Sequence, residues 1–294
     1  MIKSNKIKKW IGITKYPITL LILYMVLKRI NFKEVSVIVS QISLPILILI
    51  ISLSLIKIIL QYLNWESFLK VVPDIHLSGY EKLSSFFIGT TLRIVSPGGV
   101  GVYGRIFYLS SRKRDSAISI TYEKLVQSWC LIFFGSIACA LYFNEYNLWI
   151  RIILPPIILL LPFAILLFSS HTGKYYKYMT SYRKSIVHTL SLQVGISLIT
   201  IIQYLYFLNS FADFGIIDAI KSVPLVQFAN LIPITVSGLG LREYFAITIY
   251  PSMGINQELA VACSLAIFTF SNFLPALVGL PFLLLNKTKI TKNK

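Results

Sequence analysis

The sequence predicts an all-α integral membrane protein, with about six full crossings plus two broken or re-entrant helix pairs in an inverted repeat. Three observations lead there. The 294 residues are 56% hydrophobic and only 13% charged, about half the charge of a soluble domain, and the mean hydropathy is +0.74. Several apolar stretches reach the roughly 20 residues that cross ~30 Å of hydrocarbon. Two further stretches are apolar but interrupted, at "TTLRIVSPGGVGVYGR" (Thr90 to Arg105) and "PITVSGLGLREY" (Pro233 to Tyr244). The apolar–polar alternation of an outer-membrane barrel strand is missing.

In chain order, the full crossings are expected at Trp10 to Lys28, Leu44 to Leu63, Glu123 to Phe143, Ile150 to Phe168, Ile186 to Leu208 and Leu259 to Leu285. The basic start "MIKSNKIKKW" precedes an apolar run without a small-residue cleavage site, so it reads as a retained first helix rather than a signal peptide. The interrupted stretches are Ser84 to Leu109 and Ala219 to Tyr250. Irregular backbone survives at membrane depth only where protein buries it or water reaches it.

Net charge is +17 and the isoelectric point about 9.8. The lysines sit in loops and tails, which points to membrane orientation and anionic headgroups, not to nucleic acid. With both termini on the cytoplasmic side, seventeen Lys and Arg fall inside and at most five outside, which sets the expected orientation in the cytoplasmic membrane. The three cysteines and three histidines are scattered, with no disulfide framework or zinc spacing. No cofactor motif or catalytic constellation emerges. Gly99 to Gly104 fits G-x-G-x-x-G, but that fingerprint needs a soluble strand–turn–helix unit.

Aligning Gly98–Val102 on Ser237–Leu241 gives an offset of 139 residues. The same shift places crossing one on four, two on five and three on six. An odd number of crossings per half turns the second half upside down, as in transporters whose site lies at discontinuous helices near the midplane. The expected organisation is one membrane domain, 1–294, with repeats 10–147 and 148–286.

The breaks carry chemistry. Helix starts after glycine turns aim free N–H groups at an anion, and arginine's planar fork holds two phosphate oxygens. Arg93 and Arg105 flank the first break, and Arg242 and Glu243 follow the second. Two readings fit Arg93 and Arg105: cavity cations, or side chains snorkelling to cytoplasmic headgroups. For Arg242 and Glu243 the alternatives are a cavity role or a local pair capping a helix. Glu243 and Glu123 are also candidates to pair with arginines of the opposite half. Glu123 and Lys124 stand either in the site or as charge at a helix end. Lys57 reads as a snorkelling residue, and Gln61, Gln193 and Gln203 as inter-helix hydrogen-bonders.

With these residues in place, the chain resembles the transmembrane region of the lysylphosphatidylglycerol synthase family, in its short, stand-alone, flippase-like form. Members show P-G-x-x-G-E-x-x-R, then an acidic–basic pair opening the next helix, then G-G-L-G-x-R-E. Here the first motif is Pro97, Gly98, Gly101 and Arg105, and the pair is Glu123–Lys124. The third is Ser237, Gly238, Leu239, Gly240, Arg242 and Glu243. Val102 stands where the family has Glu, Lys124 replaces Arg, and Ser237 replaces the first glycine of the third motif. The chain runs only nine residues past Leu285, so the expectation is a form without the aminoacyl-transferring domain, and lysyl transfer is not implied. The resemblance implies movement of an anionic lipid between leaflets.

The expected binding residues are thus Arg93, Pro97, Gly98, Gly99, Gly101, Arg105, Glu123, Lys124, Gly238, Gly240, Arg242 and Glu243. The expected partners are membrane lipids with phosphate headgroups, with envelope-biosynthesis proteins as a further class, and no cofactor. The cargo is a phospholipid, a polyprenyl phosphate or a lipid-linked sugar. A membrane-embedded lipid-modifying enzyme subunit and a scaffold for envelope polysaccharide assembly are the alternatives. The orientation is checked by labelling single cysteines with an impermeant maleimide: Gly215→Cys should react from outside and Tyr178→Cys from inside, and the opposite pattern reverses the topology.

Overall fold

The computed structural model describes residues 32–71, 77–96, 99–111, 113–143, 145, 147–168, 176–232, 235 and 237–286. The expected first crossing, Trp10 to Lys28, and two motif residues, Pro97 and Gly98, lie outside the described residues. What is described is helical: α1 (Phe32–Ser40), α2 (Leu44–Val71), α3 (Gly79–Val95), a 3₁₀ segment (Val100–Tyr108), α4 (Lys113–Tyr142), α5 (Leu148–Phe168), α6 (Tyr176–Asn209), α7 (Ile216–Gln227), α8 (Leu241–Ile249), α9 (Gln257–Phe268), a π-helical turn (Thr269–Phe273) and α10 (Leu274–Leu285).

Among the described residues, four spans are long and apolar enough to cross a membrane: Leu44–Lys70, Lys113–Tyr142, Tyr182–Asn209 and Gln257–Leu285, while Leu148–Ala164 is a shorter apolar helix. The protein is an all-α membrane protein. Its surface is apolar: Ile48, Leu55, Ile59, Trp149, Ile150, Leu160 and Leu284 are exposed, while Ser54, Asn64, Ser85, Gln193 and Gln203 are buried. That inversion of the soluble pattern satisfies polar groups inside the protein and leaves hydrocarbon outside.

Several helices begin later or end earlier in the hydropathy profile than in space. α2 runs to Val71 and α4 starts at Lys113, eight and ten residues beyond the expected limits. The extensions are polar by composition but pack inward through Trp65, Phe68, Leu69, Ser116 and Ile120. The segment before crossing two, expected as loop, includes α1. α3 opens at Ser78, whose hydroxyl accepts from Glu81 N at 3.2 Å while Glu81 returns a bond to Ser78 N, a capping box that fixes its start. Three prolines, 155, 156 and 162, lie within α5.

Two core clusters flank the centre. One gathers Tyr204, Phe207, Phe214, Tyr250 and Cys263 from the C-terminal helices. The other gathers Trp65, Phe68, Ile120, Trp129 and Cys130 from α2 and α4. α2 packs along α6, α3 along α10, and α4 along α7. The α3–α10 seam is close: a Cβ added at Gly279 would collide with Thr91 Oγ1 and the Phe87 carbonyl, and Thr91 donates to Ala276 O at 2.7 Å. Gly279→Val should therefore force the seam apart and destabilise the protein by ~1–3 kcal/mol, read as a lower unfolding temperature in detergent. Gly79→Ala, at a position facing open space, should leave that temperature unchanged.

Candidate functional site

Each interrupted stretch folds as its glycines dictate. After α3, the Ser96 hydroxyl accepts from Gly101 N at 2.6 Å. A Cβ at Gly101 would run into the Leu92 carbonyl and the Ser96 hydroxyl, so only glycine lets the 3₁₀ segment lie this close to the helix it follows. After α7, Ser237, Gly238 and Gly240 all take positive φ (53°, 78° and 81°). At Gly238 a side chain would be strained twice over, because its Cβ would also sit 2.7 Å from Asn230 Oδ1. The Gly240 N–H then donates to Glu243 Oε2 at 2.7 Å, closing the first turn of α8.

The two breaks meet on one cavity of about 310 Å³. Gly99 reaches it from the first break, and Ser237 and Gly238 from the second. Four cations line it, each from a different helix: Lys57 of α2, Arg93 of α3, Lys124 of α4 and Arg242 of α8. None of the described carboxylates does. Amide side chains fill much of the remaining wall: Gln61, Gln127, Gln193, Gln227, Asn230 and Asn272.

The expected pairing of Glu123 and Glu243 with arginines of the opposite half is corrected. Glu243 Oε1 binds its neighbour Arg242 at 2.7 Å and accepts from Ser264 Oγ at 2.9 Å. Arg242 also lies over the Phe268 ring, 4.6 Å from its centroid. Adjacent residues on a first helical turn reach each other without any other element moving, so the local pair wins. Glu123 Oε2 binds Arg105 Nη2, and Glu123 Oε1 accepts from Gln127 at 3.1 Å. Arg105 is 2% exposed and stacks on Trp65 at 3.4 Å. It neither snorkels nor lines the cavity. Arg93 donates from Nη2 to Asn272 Oδ1 at 3.0 Å, and Lys124 from Nζ to Gln127 Oε1 at 3.0 Å, so both charges meet neutral partners.

Among the expected residues, Arg93, Gly99, Lys124, Gly238 and Arg242 line the cavity, while Gly101, Arg105, Glu123, Gly240 and Glu243 stand behind it. Lys57 was misread from the sequence. Placed six residues from an assumed end at Leu63, it reads as a snorkelling side chain. In the structure it is the fourteenth of 28 residues in α2, 7% exposed and on the cavity wall. A lysine at mid-helix has no interface within reach, and that distance was the missed signal. The π turn was also unforeseen. It sends Ser271 to Gln203 (3.1 Å) and its neighbour Asn272 to Arg93, a splay that an added residue per turn permits. Gln203 and Gln193 do bond across helices, to Ser54 at 2.8 Å and Asn64 at 3.2 Å.

The Arg105–Glu123 pair is buried, so removing one partner leaves an uncompensated charge. Glu123→Gln should destabilise by ~3–5 kcal/mol, whereas Arg105→Met with Glu123→Gln should lose less than Glu123→Gln alone. Thermal unfolding of both variants checks this.

A family model for the lysylphosphatidylglycerol synthase TM region matches residues 11–279. No curated protein matches the chain.

Proposed function

Because the chain belongs to the family of lysylphosphatidylglycerol synthase transmembrane regions, and so to proteins of membrane-lipid function, we propose that it is a lipid translocase of the cytoplasmic membrane. The observation that carries this reading is the cavity itself: two glycine breaks from distant parts of the chain converge on a space lined by four cations and no described carboxylate. An unpaired cation at the bilayer centre costs about 2.5–3.5 kcal/mol on insertion scales. An anionic guest in the cavity would offset that cost. A lipid phosphate fits, since Arg93 and Arg242 offer guanidinium forks and Lys57 and Lys124 point charges. Arg105, Glu123 and Glu243 are positioning residues that hold the 3₁₀ segment and the start of α8.

The packing also supports the inverted repeat. Under the 139-residue shift, α2 corresponds to α6, α3 to α7, and α4 to the α9–α10 span. α2 packs on its own counterpart, while α3 packs on α10 and α7 packs on α4. Exchanged partners of this kind are what a two-fold relation produces. In this proposal the halves 10–147 and 148–286 rock about the cavity, exposing it to one leaflet and then the other, with both termini inside.

Leaflet exchange tests the reading. Purified protein in proteoliposomes should flip fluorescent phosphatidylglycerol or polyprenyl phosphate, measured by dithionite quenching. Arg93→Gln and Arg242→Gln should each slow exchange by about tenfold or more. No protein-dependent exchange of any phosphate-bearing lipid overturns it.

A further inference from the structure

The charge around the cavity does not balance for an ordinary phospholipid. On its wall or directly behind it stand five cations, Lys57, Arg93, Arg105, Lys124 and Arg242, and two carboxylates, Glu123 and Glu243. Each carboxylate is committed to one arginine, Glu123 to Arg105 and Glu243 to Arg242. Among the described residues, three basic side chains remain without a carboxylate of their own, Lys57, Arg93 and Lys124. Among the described residues, Arg93 and Lys124 hydrogen-bond to amide oxygens and Lys57 has no carboxylate partner.

We propose that the cavity is built for a lipid headgroup carrying two or more negative charges, a phosphomonoester or a diphosphate, in preference to a phosphodiester. The inference rests on the translocase reading for the lipid tail, and on the cavity alone for the headgroup. A phosphodiester brings one negative charge and leaves two cations uncompensated in a low-dielectric site. A headgroup bearing an ammonium adds to the excess. A diphosphate, with two to three charges, balances the wall and has enough oxygens to meet Lys57, Arg93 and Lys124 separately.

A second observation points the same way. Thr235, beside the second break, is fully buried and lines the cavity, and among the described residues its hydroxyl has no hydrogen-bond partner. A buried hydroxyl left unpartnered is expensive, and a phosphate oxygen would accept a hydrogen bond from it. The volume of about 310 Å³ sits at the small end of the ~300–1,000 Å³ range of ligand sites. It suits a bare phosphate headgroup rather than one extended by an oligosaccharide.

Binding to the full chain in phosphatidylcholine nanodiscs tests this with four probes: farnesyl diphosphate, farnesyl monophosphate, dioctanoyl phosphatidylglycerol and inorganic pyrophosphate. Farnesyl diphosphate should bind about tenfold or more tighter than dioctanoyl phosphatidylglycerol, with the monophosphate also ahead of the diester. Lys57→Gln and Lys124→Gln should each erase most of that preference, and Lys57→Arg should keep it. Loss in Lys57→Gln with retention in Lys57→Arg, at matched unfolding temperatures, separates charge from folding. Equal affinity for diester and diphosphate overturns the proposal, as does a preference indifferent to both lysines. Inorganic pyrophosphate binding as tightly as farnesyl diphosphate overturns the lipid assignment and makes the guest a soluble diphosphate. The two readings fail separately: exchange of phosphatidylglycerol without any diphosphate preference sinks this inference alone, and diphosphate preference without exchange of any lipid sinks translocation alone.

Discussion

The expense of a buried charge organises this molecule. Hydrocarbon gives an ion no hydration, and each charge inside must find a counter-charge, a dipole or a cavity. The structure uses all three. Arg105 is sealed between Glu123 and Trp65. Arg242 is held by Glu243, Ser264 and the face of Phe268. Arg93, Lys124 and Lys57 are left to amide dipoles and the cavity. The apolar exterior, the broken helices and the polar interior all follow from placing these five groups where lipid does not touch them.

The glycines serve the same end. A continuous helix spends its N–H groups on its own carbonyls. Only an interruption frees amides and lets the chain turn within the protein. At the first break the Ser96 hydroxyl takes up the freed Gly101 N–H, and at the second Glu243 takes that of Gly240. The carboxylate that neutralises Arg242 is thus also the cap of the helix that carries it. One side chain sets both the charge balance and the backbone, which leaves little freedom for substitution at 243.

Much of this was legible in the sequence, for physical reasons. Apolar runs and Pro–Gly interruptions report directly on helices and breaks, because lipid permits no other reading. Arg93, Lys124 and Arg242, which line the cavity, stand out in the sequence because a charge in such surroundings is conspicuous. What failed was measured along the helix axis. Hydropathy marks where a segment turns polar, and α2 turns polar at Asn64 while its helix continues through Trp65 and Phe68 into the core. Placing the end at Leu63 brought Lys57 falsely near an interface. The Arg105–Glu123 pair joins residues 18 positions apart on different elements, and the π turn depends on packing around Ser271. Neither leaves a periodic trace.

The distribution of bonds bears on how such a molecule could move. The charged pairs Arg105–Glu123, Arg242–Glu243 and Lys82–Glu66 each join residues on one side of the chain's midpoint. Described hydrogen bonds that cross it include neutral ones, Ser54 with Gln203 and Ser271 and Asn64 with Gln193, and ones with a single charge, such as Arg93 with Asn272. Removing one partner of a buried ion pair costs about 3–5 kcal/mol, and separating the partners leaves both charges bare. An inter-helix hydrogen bond in a membrane protein is worth about 0.6 kcal/mol on average, and its partners readily accept water or a guest. In the proposed rocking, therefore, the strong pairs travel inside rigid halves, and the bonds exchanged at the interface are the weak ones. Among the described residues, two cations bridge the two sides through neutral partners: Arg151 bonds the Ala140 carbonyl, and Arg93 bonds a neutral amide. Under the same proposal, an arriving phosphate would compete with Asn272 for the Arg93 guanidinium and win on charge, so binding would itself loosen one of the ties across the interface. In this proposal, headgroup capture and loosening of the halves become one event.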